Sequence, residues 1–377
     1  MITIAFDVSH IQTRRAGIGQ GSLTLLRALT EQARVNRYVL HGWSSSLDIG
    51  ALRRIQGDNV SLRVARVPGP LKRLYWDRLP FPPIETLIGR CDIFHSSDAS
   101  FPPVSSARLL LTVHDITSLT HPEFHVRAVT ERDRRLIARL RKADGVIVPS
   151  TATRDALVRA GACSERRIHL HAPIVPSFCS PVEGPGEAAL LARLELTRPY
   201  LLYVGTIEPR KNIRGIVEAF DLISHRGGGE WDLLLAGKIG WKSESVLEAI
   251  AGAESASRIR RLSYVPDDTL AVLYRHARCL VYPSFAEGYG LPVAEAIASG
   301  LPVVTSVDSP MAEIAGGAAL LVDPRSPAEI AEAVLRIASD GTERALWKSR
   351  ARDRAKATAR PYPADALLTI YAGLGAS

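Results

Sequence analysis

The chain has 377 residues, 46% of them hydrophobic and 23% charged, with a mean hydropathy of +0.04 and a formal net charge of +8. This profile is typical of a soluble globular protein long enough for two domains, and it excludes a disordered chain, a collagen-like repeat and a heptad array. No run of about 18 apolar residues occurs, so we expect no membrane-spanning helix. The excess of positive charge lies in residues 1–185. An anionic membrane surface, a nucleic acid and an acidic substrate are all compatible with it as partners.

Short apolar runs alternate with amphipathic stretches over the first 171 residues. The pattern predicts a first strand at Ile2–Val8, a helix from Ser22 to about Arg34 and a helix between Val126 and Lys142. Further strands are predicted at Arg37–His41, Leu62–Val67, Ile93–His95, Leu109–Val113, Gly145–Pro149 and Ile168–His171. Such alternation predicts a parallel, doubly wound α/β sheet. Residues 171–199 are rich in proline and glycine and indicate an interdomain connection.

The alternation restarts after this connection. Strands are predicted at Tyr200–Gly205, Trp231–Gly237, Ile259–Val265, Cys279–Pro283, Pro302–Ser306 and Ala319–Val322. Helices are predicted at Asn212–Ser224, Ser243–Ala253, Asp267–His276, Pro292–Ser299, Ser326–Ser339 and, near the end, about Pro363–Leu374. Two doubly wound domains would face a central cleft, which is the expected ligand site because ligands bind at the carboxyl ends of such strands.

The segment Ser284–Gly300 carries two acids, Glu287 and Glu295, around a glycine-rich turn that precedes a helix with Pro292 at its first position. The amides at the start of this helix would form an anion site; they belong to Gly288, Tyr289, Gly290 and Leu291. Paired carboxylates beside an anion site suit a sugar joined to a phosphate, because a carboxylate accepts hydrogen bonds from vicinal hydroxyls. The plainer alternative is that Glu287 caps the helix and Glu295 is solvated.

A second segment, Gly205–Asn212, also lies between a strand and a helix. Arg210 and Lys211 stand at the carboxyl end of the strand, where they could neutralise a diphosphate. The alternatives are a solvated basic pair, and for Gly205 a simple turn.

Two features of the N-terminal half are less specific. Gly17 and Gly19 resemble a dinucleotide fingerprint only weakly, and a glycine hinge loop facing the cleft fits as well. An apolar strand delivers His114, followed by Asp115, to a switch-like position at its carboxyl end, although a lone histidine is more often structural.

With these motifs the chain resembles retaining glycosyltransferases of family 4, which have the GT-B fold. The resemblance covers nearly the whole length and rests on the Glu287-x7-Glu295 spacing within Glu-Gly-Tyr-Gly-Leu-Pro. Supporting matches are Gly205–Asn212, Tyr264–Asp268, Thr112–Asp115 and Asp92–His95. The chain looks most like mannosyltransferases that extend bacterial O-antigen and exopolysaccharide chains. The resemblance implies an N-terminal acceptor-side Rossmann-like domain over residues 1–180, joined by a C-terminal helix at 360–377, and a nucleotide-sugar-binding domain over 190–358.

The resemblance also implies roles for individual residues. Arg210 and Lys211 would bind the diphosphate, Glu295 the ribose diol and Glu287 the donor-sugar hydroxyls. The remaining implied donor contacts are His114 on the sugar, Gly17 and Gly19 near the phosphates or acceptor, Tyr264 and Val265 at the base, and Gly205, Gly288, Tyr289, Gly290 and Leu291 along the donor. Gln20 and Gly21 depart from the Arg-Tyr that follows the glycines in many relatives, which bears on acceptor contacts.

The implied reaction is retaining transfer of a hexosyl group from a nucleotide sugar to a lipid-linked saccharide. GDP-mannose is the expected donor, with dTDP-rhamnose or a UDP-sugar as alternatives. No Asp-x-Asp motif for a metal is present, so neither a metal nor another cofactor is expected. Alternatives from other classes are a nucleotide-sugar epimerase, a basic lipid- or nucleic-acid-binding protein and, less in keeping with the glycine spacing, an NAD-dependent dehydrogenase.

A membrane-bound acceptor would suit the basic N-terminal half. The predicted helix near residues 127–142 carries seven cations against Glu131 and Asp133, and Leu71–Trp76 adds Lys72 and Arg73 beside aromatic residues. Contact with anionic lipid and a merely solvated helix face are both compatible with this pattern. The N-terminus lacks signal-peptide features, and four scattered cysteines favour a reducing compartment, so we expect a cytoplasmic protein, with peripheral attachment to the inner face of the plasma membrane as an option.

Overall fold

The computed structural model describes residues 1–12, 17–55, 57–68, 71, 76, 81–97, 101–226, 230–339, 341–359 and 364–375. The chain forms two compact units. The first comprises Met1–Thr120, Ala128–Ile174 and Arg360–Ser377, and the second His121–Arg127 and Val175–Ala359. None of the helices described has both the length and the apolar character needed to span a membrane.

The first unit is built on a seven-stranded parallel sheet. Its strands are β1 (Thr3–Asp7), β2 (Arg37–Trp43), β3 (Val60–Ala65), β4 (Ile93–Ser96), β5 (Arg108–Thr112), β6 (Gly145–Val148) and β7 (Ile168–Leu170). Their spatial order is β3-β2-β1-β4-β5-β6-β7, so the direction of winding reverses between β1 and β4. Every residue of β4 and β6 is buried, as expected for parallel strands covered on both faces, whereas the edge strand β3 buries none completely.

Within the described residues, six helices connect these strands. They are α1 (Gly17–Gln32), α2 (Ile49–Arg53), α3 (Ile84–Ile88), α4 (Thr117–Thr120), α5 (Arg127–Leu140) and α6 (Thr151–Arg159). The seven strands and the helix near 126–142 confirm the predicted elements to within about two residues at each end. The start of α1 was predicted wrongly: Gly17 and Gly19 lie in its first turn and not in a loop. Glycine disfavours helix by about 1 kcal/mol, but the buried face of Leu23 and Leu26 outweighs that cost.

The second unit contains a six-stranded parallel sheet. Its strands are β8 (Tyr200–Val204), β9 (Asp232–Ala236), β10 (Ile259–Leu262), β11 (Leu280–Tyr282), β12 (Val303–Ser306) and β13 (Ala319–Val322). The spatial order is β10-β9-β8-β11-β12-β13, so here the winding reverses between β8 and β11. Both sheets are parallel and doubly wound, which confirms the predicted fold class.

The part of the second unit that the structure describes contains eight helices. They are α7 (Glu187–Arg193), α8 (Ile213–His225), α9 (Glu244–Ala251), α10 (Asp267–His276), α11 (Leu291–Ala298), α12 (Pro310–Ala315), α13 (Pro327–Ser339) and α14 (Gly341–Thr358). Helix α7 interrupts the stretch that was interpreted as an irregular connection. It is held by the buried carboxylate of Glu187, which accepts hydrogen bonds from Arg275 at 2.6 Å and His276 at 2.8 Å.

A final helix, α15 (Asp365–Gly375), packs on the sheet of the first unit. Leu367 and Tyr371 are fully buried in a cluster with Ile4 and Ile93 of the central strands. The hydroxyl of Tyr371 lies 2.7 Å from Nδ1 of His95. The predicted return of the C-terminal helix to the N-terminal domain is therefore confirmed.

Candidate active site

Two loops meet at the switch point between β8 and β11 of the second unit. In an open α/β sheet, a ligand crevice forms at the carboxyl ends of the strands where the winding reverses. The loop after β8 carries Arg210 and Lys211, and the loop after β11 carries Glu287. Asn212 joins them by donating from Nδ2 to the carbonyl of Pro283 at 3.0 Å. Sheet topology thus brings together residues more than 70 positions apart in sequence.

Glu287 is the centre of a buried charged cluster. Its carboxylate accepts a hydrogen bond from Nη1 of Arg210 at 2.9 Å, another from Nζ of Lys211, and a third from the hydroxyl of Tyr282 at 3.0 Å. Nη2 of Arg210 donates to Glu208 at 2.9 Å. The side chains of Glu287, Arg210 and Lys211 are only 7%, 10% and 11% exposed. The structure therefore brings three of the four predicted donor-site side chains together, and excludes both a helix cap at Glu287 and a solvated basic pair.

The protonation states within this cluster follow from burial and charge. Burial raises the pKa of Glu287, but Arg210 and Lys211 outweigh it and bring that pKa down to about 2. Burial lowers the pKa of Lys211 below its usual range, against the opposing effect of Glu287. Burial raises the pKa of Glu208, although Arg210 partly compensates. At neutral pH Glu287 is therefore an ionised, acceptor-only group beside two cations.

Glu295 lies in a different environment from Glu287. It projects from α11, is buried, and accepts a hydrogen bond from the hydroxyl of Tyr274 at 2.7 Å. Burial raises its pKa to about 7, with a smaller contribution from the charge of Asp267. The alternative of a solvated helix residue is therefore wrong.

The turn before α11 requires glycine at one position. Gly290 has φ of +104°, and a Cβ at this position would lie 2.4 Å from Cγ of Met311. It precedes Leu291, the first residue of α11, so Pro292 is at the second position and not the first. Gly288 and Tyr289 complete the turn between Glu287 and this helix. The predicted anion-binding turn is thus correctly placed before the helix.

The residues predicted to meet the base follow an outer strand. Tyr264, 59% exposed, and Val265, half-buried against the core of the unit, come shortly after β10, which lies two strands from β8. Gly205, with φ of +149°, directly follows β8. A Cβ on Gly237, at the end of β9, would lie 2.0 Å from the carbonyl oxygen of Gly205, so these neighbouring loops approach too closely for a side chain there.

In the first unit, His114 follows β5, one strand away from the switch point between β1 and β4. Its Nε2 is buried and has no hydrogen-bond partner within the described part of the chain. Burial, with a further contribution from His10, lowers its pKa to about 4 against the opposing effect of Asp115. The imidazole of His114 is therefore neutral at physiological pH.

The switch point of the first unit contains residues that sequence reasoning missed. Nε2 of His10 lies 2.7 Å from the hydroxyl of Ser22 in α1, and its Nδ1 lies 3.2 Å from the hydroxyl of Ser97 after β4. The sequence marks these residues only weakly: His10 and Ser97 come shortly after predicted strands, and Ser22 is the predicted start of the first helix. Among the residues described, no group of three or more His, Cys, Asp and Glu side chains is arranged to hold a metal.

Comparisons with known proteins bear on this arrangement. The model described as "Glycosyltransferase Family 4" matches residues 16–175, and that described as "Glycosyl transferases group 1" matches residues 192–354. The chain is 30% identical over 373 residues to O-antigen chain mannosyltransferase B of Escherichia coli, covering 94% of this chain and 95% of that protein. This chain belongs to glycosyltransferase family 4.

Solved structures agree with this membership at the level of fold. Sucrose-phosphate synthase (tll1590) from Thermosynechococcus elongatus superposes on this glycosyltransferase with a TM-score of 0.77 and 21% identity, covering 100% of both chains. WaaG, a glycosyltransferase involved in lipopolysaccharide biosynthesis, superposes with a TM-score of 0.72 and 16% identity, covering 96% of this chain and 98% of its own. The GT-B fold is therefore shared with enzymes of different substrates.

Proposed function

We propose that this glycosyltransferase moves a mannosyl group from GDP-mannose to a lipid-linked saccharide, with retention of configuration, in the synthesis of a cell-surface polysaccharide. The observation that carries the proposal is the buried contact of Arg210 and Lys211 with Glu287 at the switch point of the second sheet. The Escherichia coli relative, named as an O-antigen chain mannosyltransferase, supports the choice of sugar.

Arg210 and Lys211 would stabilise the charge that develops on the departing diphosphate. In transfer, the bond from the anomeric carbon to the phosphate oxygen breaks, and a bond from that carbon to the acceptor oxygen forms on the same face. The acceptor proton passes to the leaving phosphate. Preorganised donors aimed at developing charge lower the barrier most where water is excluded, and removal of one such donor typically costs about 100- to 1000-fold in rate. No protein nucleophile is required by this route.

The acids would divide the recognition of the donor between them. Glu287, ionised and already held by two cations, would accept hydrogen bonds from the sugar hydroxyls. Glu295 would accept from the ribose diol, and the base would meet Tyr264 and Val265. In the first unit, His114 would contact the donor sugar, and Gly17 and Gly19 the phosphates or the acceptor. No metal or organic cofactor enters the proposal.

The proposal is tested by transfer of radiolabelled mannose from GDP-mannose to an undecaprenyl-diphosphate-linked oligosaccharide. dTDP-rhamnose and UDP-glucose are compared as donors, and anomeric configuration is read from the product by NMR. We expect R210A, K211A and E287A each to lose at least about 100-fold in kcat/KM. E218A is the matched control, because Glu218 forms an exposed pair with Arg214 on the neighbouring helix α8. Wild-type turnover in any two of the three site variants would overturn the donor-site assignment, and a sugar-nucleotide product formed without acceptor would identify an epimerase.

We also propose that α5 contacts an anionic membrane surface at the cytoplasmic face. Six cations on or just after α5 are exposed: Arg127, Arg132, Arg134, Arg135, Arg141 and Lys142. Arg132 and Arg134 pair with Asp133 and Glu131, and each remains more than half exposed. Arg139 is different, because it donates to the carbonyl of Phe101. Lys72, Arg73 and Tyr75, also considered for this surface, lie outside the described residues. Each cation near an anionic surface contributes about 1 kcal/mol.

A further inference from the structure

A buried tyrosine closes the charged cluster of the second unit into a triangle of hydrogen bonds. The hydroxyl of Tyr282 accepts from Nζ of Lys211 at 2.7 Å and donates to Oε1 of Glu287 at 3.0 Å, while Lys211 also donates to Glu287 directly. Each of the three groups therefore contacts the other two. The hydroxyl is at once the acceptor for the ammonium and a donor to the carboxylate, which is a combination that an apolar side chain cannot supply.

The ring of Tyr282 is held rigidly. It is 1% exposed, and it stacks on the ring of Tyr203 in β8 with centroids 5.7 Å apart. Its backbone carbonyl accepts a hydrogen bond from the hydroxyl of Thr305 on the paired strand β12 at 2.8 Å. Nζ of Lys211 also lies 5.3 Å from the centroid of the ring. The position of the hydroxyl is thus set by the sheet itself, whereas the side chains of Lys211 and Glu287 extend from loops.

We propose that Tyr282 is a positioning residue, whose hydroxyl fixes the ammonium of Lys211 and the carboxylate of Glu287 in the geometry that the donor meets. Lysine has a long, flexible side chain with three donors and no directional preference of its own. A second, strand-anchored acceptor reduces the number of orientations that Nζ can adopt, so less freedom remains to be lost in the transition state. The role of Tyr282 in catalysis rests on the proposed function. The hydrogen-bonded triangle itself is independent of that function.

The first experiment compares Y282F with wild type in steady-state transfer from GDP-mannose. Phenylalanine retains the ring and its stacking and removes only the oxygen. Because a hydrogen bond to a charged group is worth about 1.5–3 kcal/mol, we expect kcat/KM to fall about 10- to 100-fold. The loss should appear mainly in kcat, since the ammonium acts on charge that develops as the diphosphate leaves.

Y200F is the matched control. Tyr200 is also buried in this sheet, and its hydroxyl donates to the backbone carbonyl of Leu273 at 3.0 Å. It should lose less than about threefold in kcat/KM, because its partner carries no charge. A loss in Y282F below threefold, or an equal loss in Y200F, overturns the proposal.

The pH profile separates positioning from a general structural defect. The ionisable groups around the Tyr282 hydroxyl are Lys211, Glu287, Arg210, Tyr203 and Tyr274. The hydroxyl stabilises both the charged ammonium and the charged carboxylate, so its removal lowers the pKa of Lys211 and raises that of Glu287. The alkaline limb of the Y282F profile should therefore move to lower pH, whereas Glu287, with its pKa of about 2 in the wild type, stays ionised. A profile that is only scaled down, with unchanged limbs, would show a structural role and overturn the proposal.

A double-mutant cycle tests the triangle without any assay of activity. Urea midpoints are measured for Y282F, K211M and the double variant, and in parallel for Y200F with K211M. We expect the shift caused by Y282F to shrink by at least half in the K211M background, whereas the shift caused by Y200F stays the same. E287Q replaces K211M in a second cycle, which decides the question if K211M does not fold. Additive shifts for Y282F overturn the proposal. A wild-type enzyme that transfers no mannose overturns only the proposed function, because the cycles remain interpretable.

Discussion

Glu295 makes a quantitative prediction about stability and pH. Its carboxyl is 6% exposed, hydrogen-bonds to Tyr274, and has a pKa raised by burial from 4.5 to about 7. The folded protein therefore holds the proton more tightly than the unfolded chain does. The resulting stabilisation is fully present below the unfolded-state pKa and is lost as pH rises through about 7. A shift of this size corresponds to about 3 kcal/mol in the free energy of unfolding.

The perturbation that isolates this effect is Glu295→Gln, because glutamine resembles the protonated acid in shape and remains neutral. At pH 5 the two proteins should differ by less than about 1 kcal/mol, because Glu295 is protonated in the folded state and pH 5 lies only just above the unfolded-state pKa. At pH 8.5 the variant should be more stable by about 3 kcal/mol, which urea unfolding monitored by circular dichroism resolves readily. E218Q, which changes an exposed carboxylate on α8, is the control and should follow wild type at every pH.

The reasoning is refuted if the stability difference between E295Q and wild type is constant from pH 5 to pH 8.5. A constant offset would mean that Glu295 titrates alike in the folded and unfolded states. The same variant should bind GDP-mannose more weakly, because an amide offers the ribose diol only one acceptor oxygen. A gain in stability combined with a loss of affinity is the relation expected of a buried acid that serves the proposed binding of the donor.

Three further predictions follow from the site and the surface of α5. E287Q leaves Arg210 and Lys211 without their shared anion, and we expect a loss of about 3–5 kcal/mol in unfolding free energy by urea titration, together with at least 100-fold in kcat/KM. G290A forces a side chain into a left-handed backbone 2.4 Å from Met311, and should lower the unfolding free energy by at least about 1 kcal/mol. R134E/R135E should reduce sedimentation with phosphatidylglycerol vesicles at low salt by at least about tenfold, because four units of charge change on one face.

Each of these has a matched control in the same chain. E218Q for E287Q removes one charge from an exposed pair, and should cost less than about 1 kcal/mol. G21A introduces the same methyl group where nothing lies within 4 Å, inside α1, and should be neutral or stabilising. R193E/R226E makes the same charge change at exposed positions of the second unit. Equal behaviour of any variant and its control would contradict the corresponding prediction.

The sequence predicted the sheets better than some helices, for physical reasons. All thirteen strands described were predicted; most are buried apolar runs, whereas the edge strand β3 alternates between half-buried and exposed residues. Helix α14 was missed because only Trp347 and Ala351 of its residues are buried, which leaves no apolar stripe. Helix α7 was missed because it is held by a charged contact of Glu187 with Arg275, and no hydrophobic pattern marks such a contact.

At the site, too, the sequence predicted positions set by local patterns but not the contacts between residues distant in the chain. The motifs predicted that Arg210, Lys211 and Glu287 lie at strand ends, and topology then explains why they meet. The partner of Glu295 could not be foreseen, because Tyr274 is 21 positions away on another helix. Tyr282 was counted only as the end of an apolar strand, since nothing in a sequence shows which hydroxyl will face an ion pair.

The packing of α15 has a consequence for biosynthesis. Tyr371 and Leu367 complete the hydrophobic core beneath Ile4 and Ile93. The first strand to leave the ribosome, β1, therefore completes its packing only when α15 is available. The second unit, whose own sheet and helices end by residue 359, can reach its native packing while the part of the N-terminal sheet that Leu367 and Tyr371 cover is still exposed. The second unit can therefore complete its fold before the first, whose core closes only after α15 has left the ribosome.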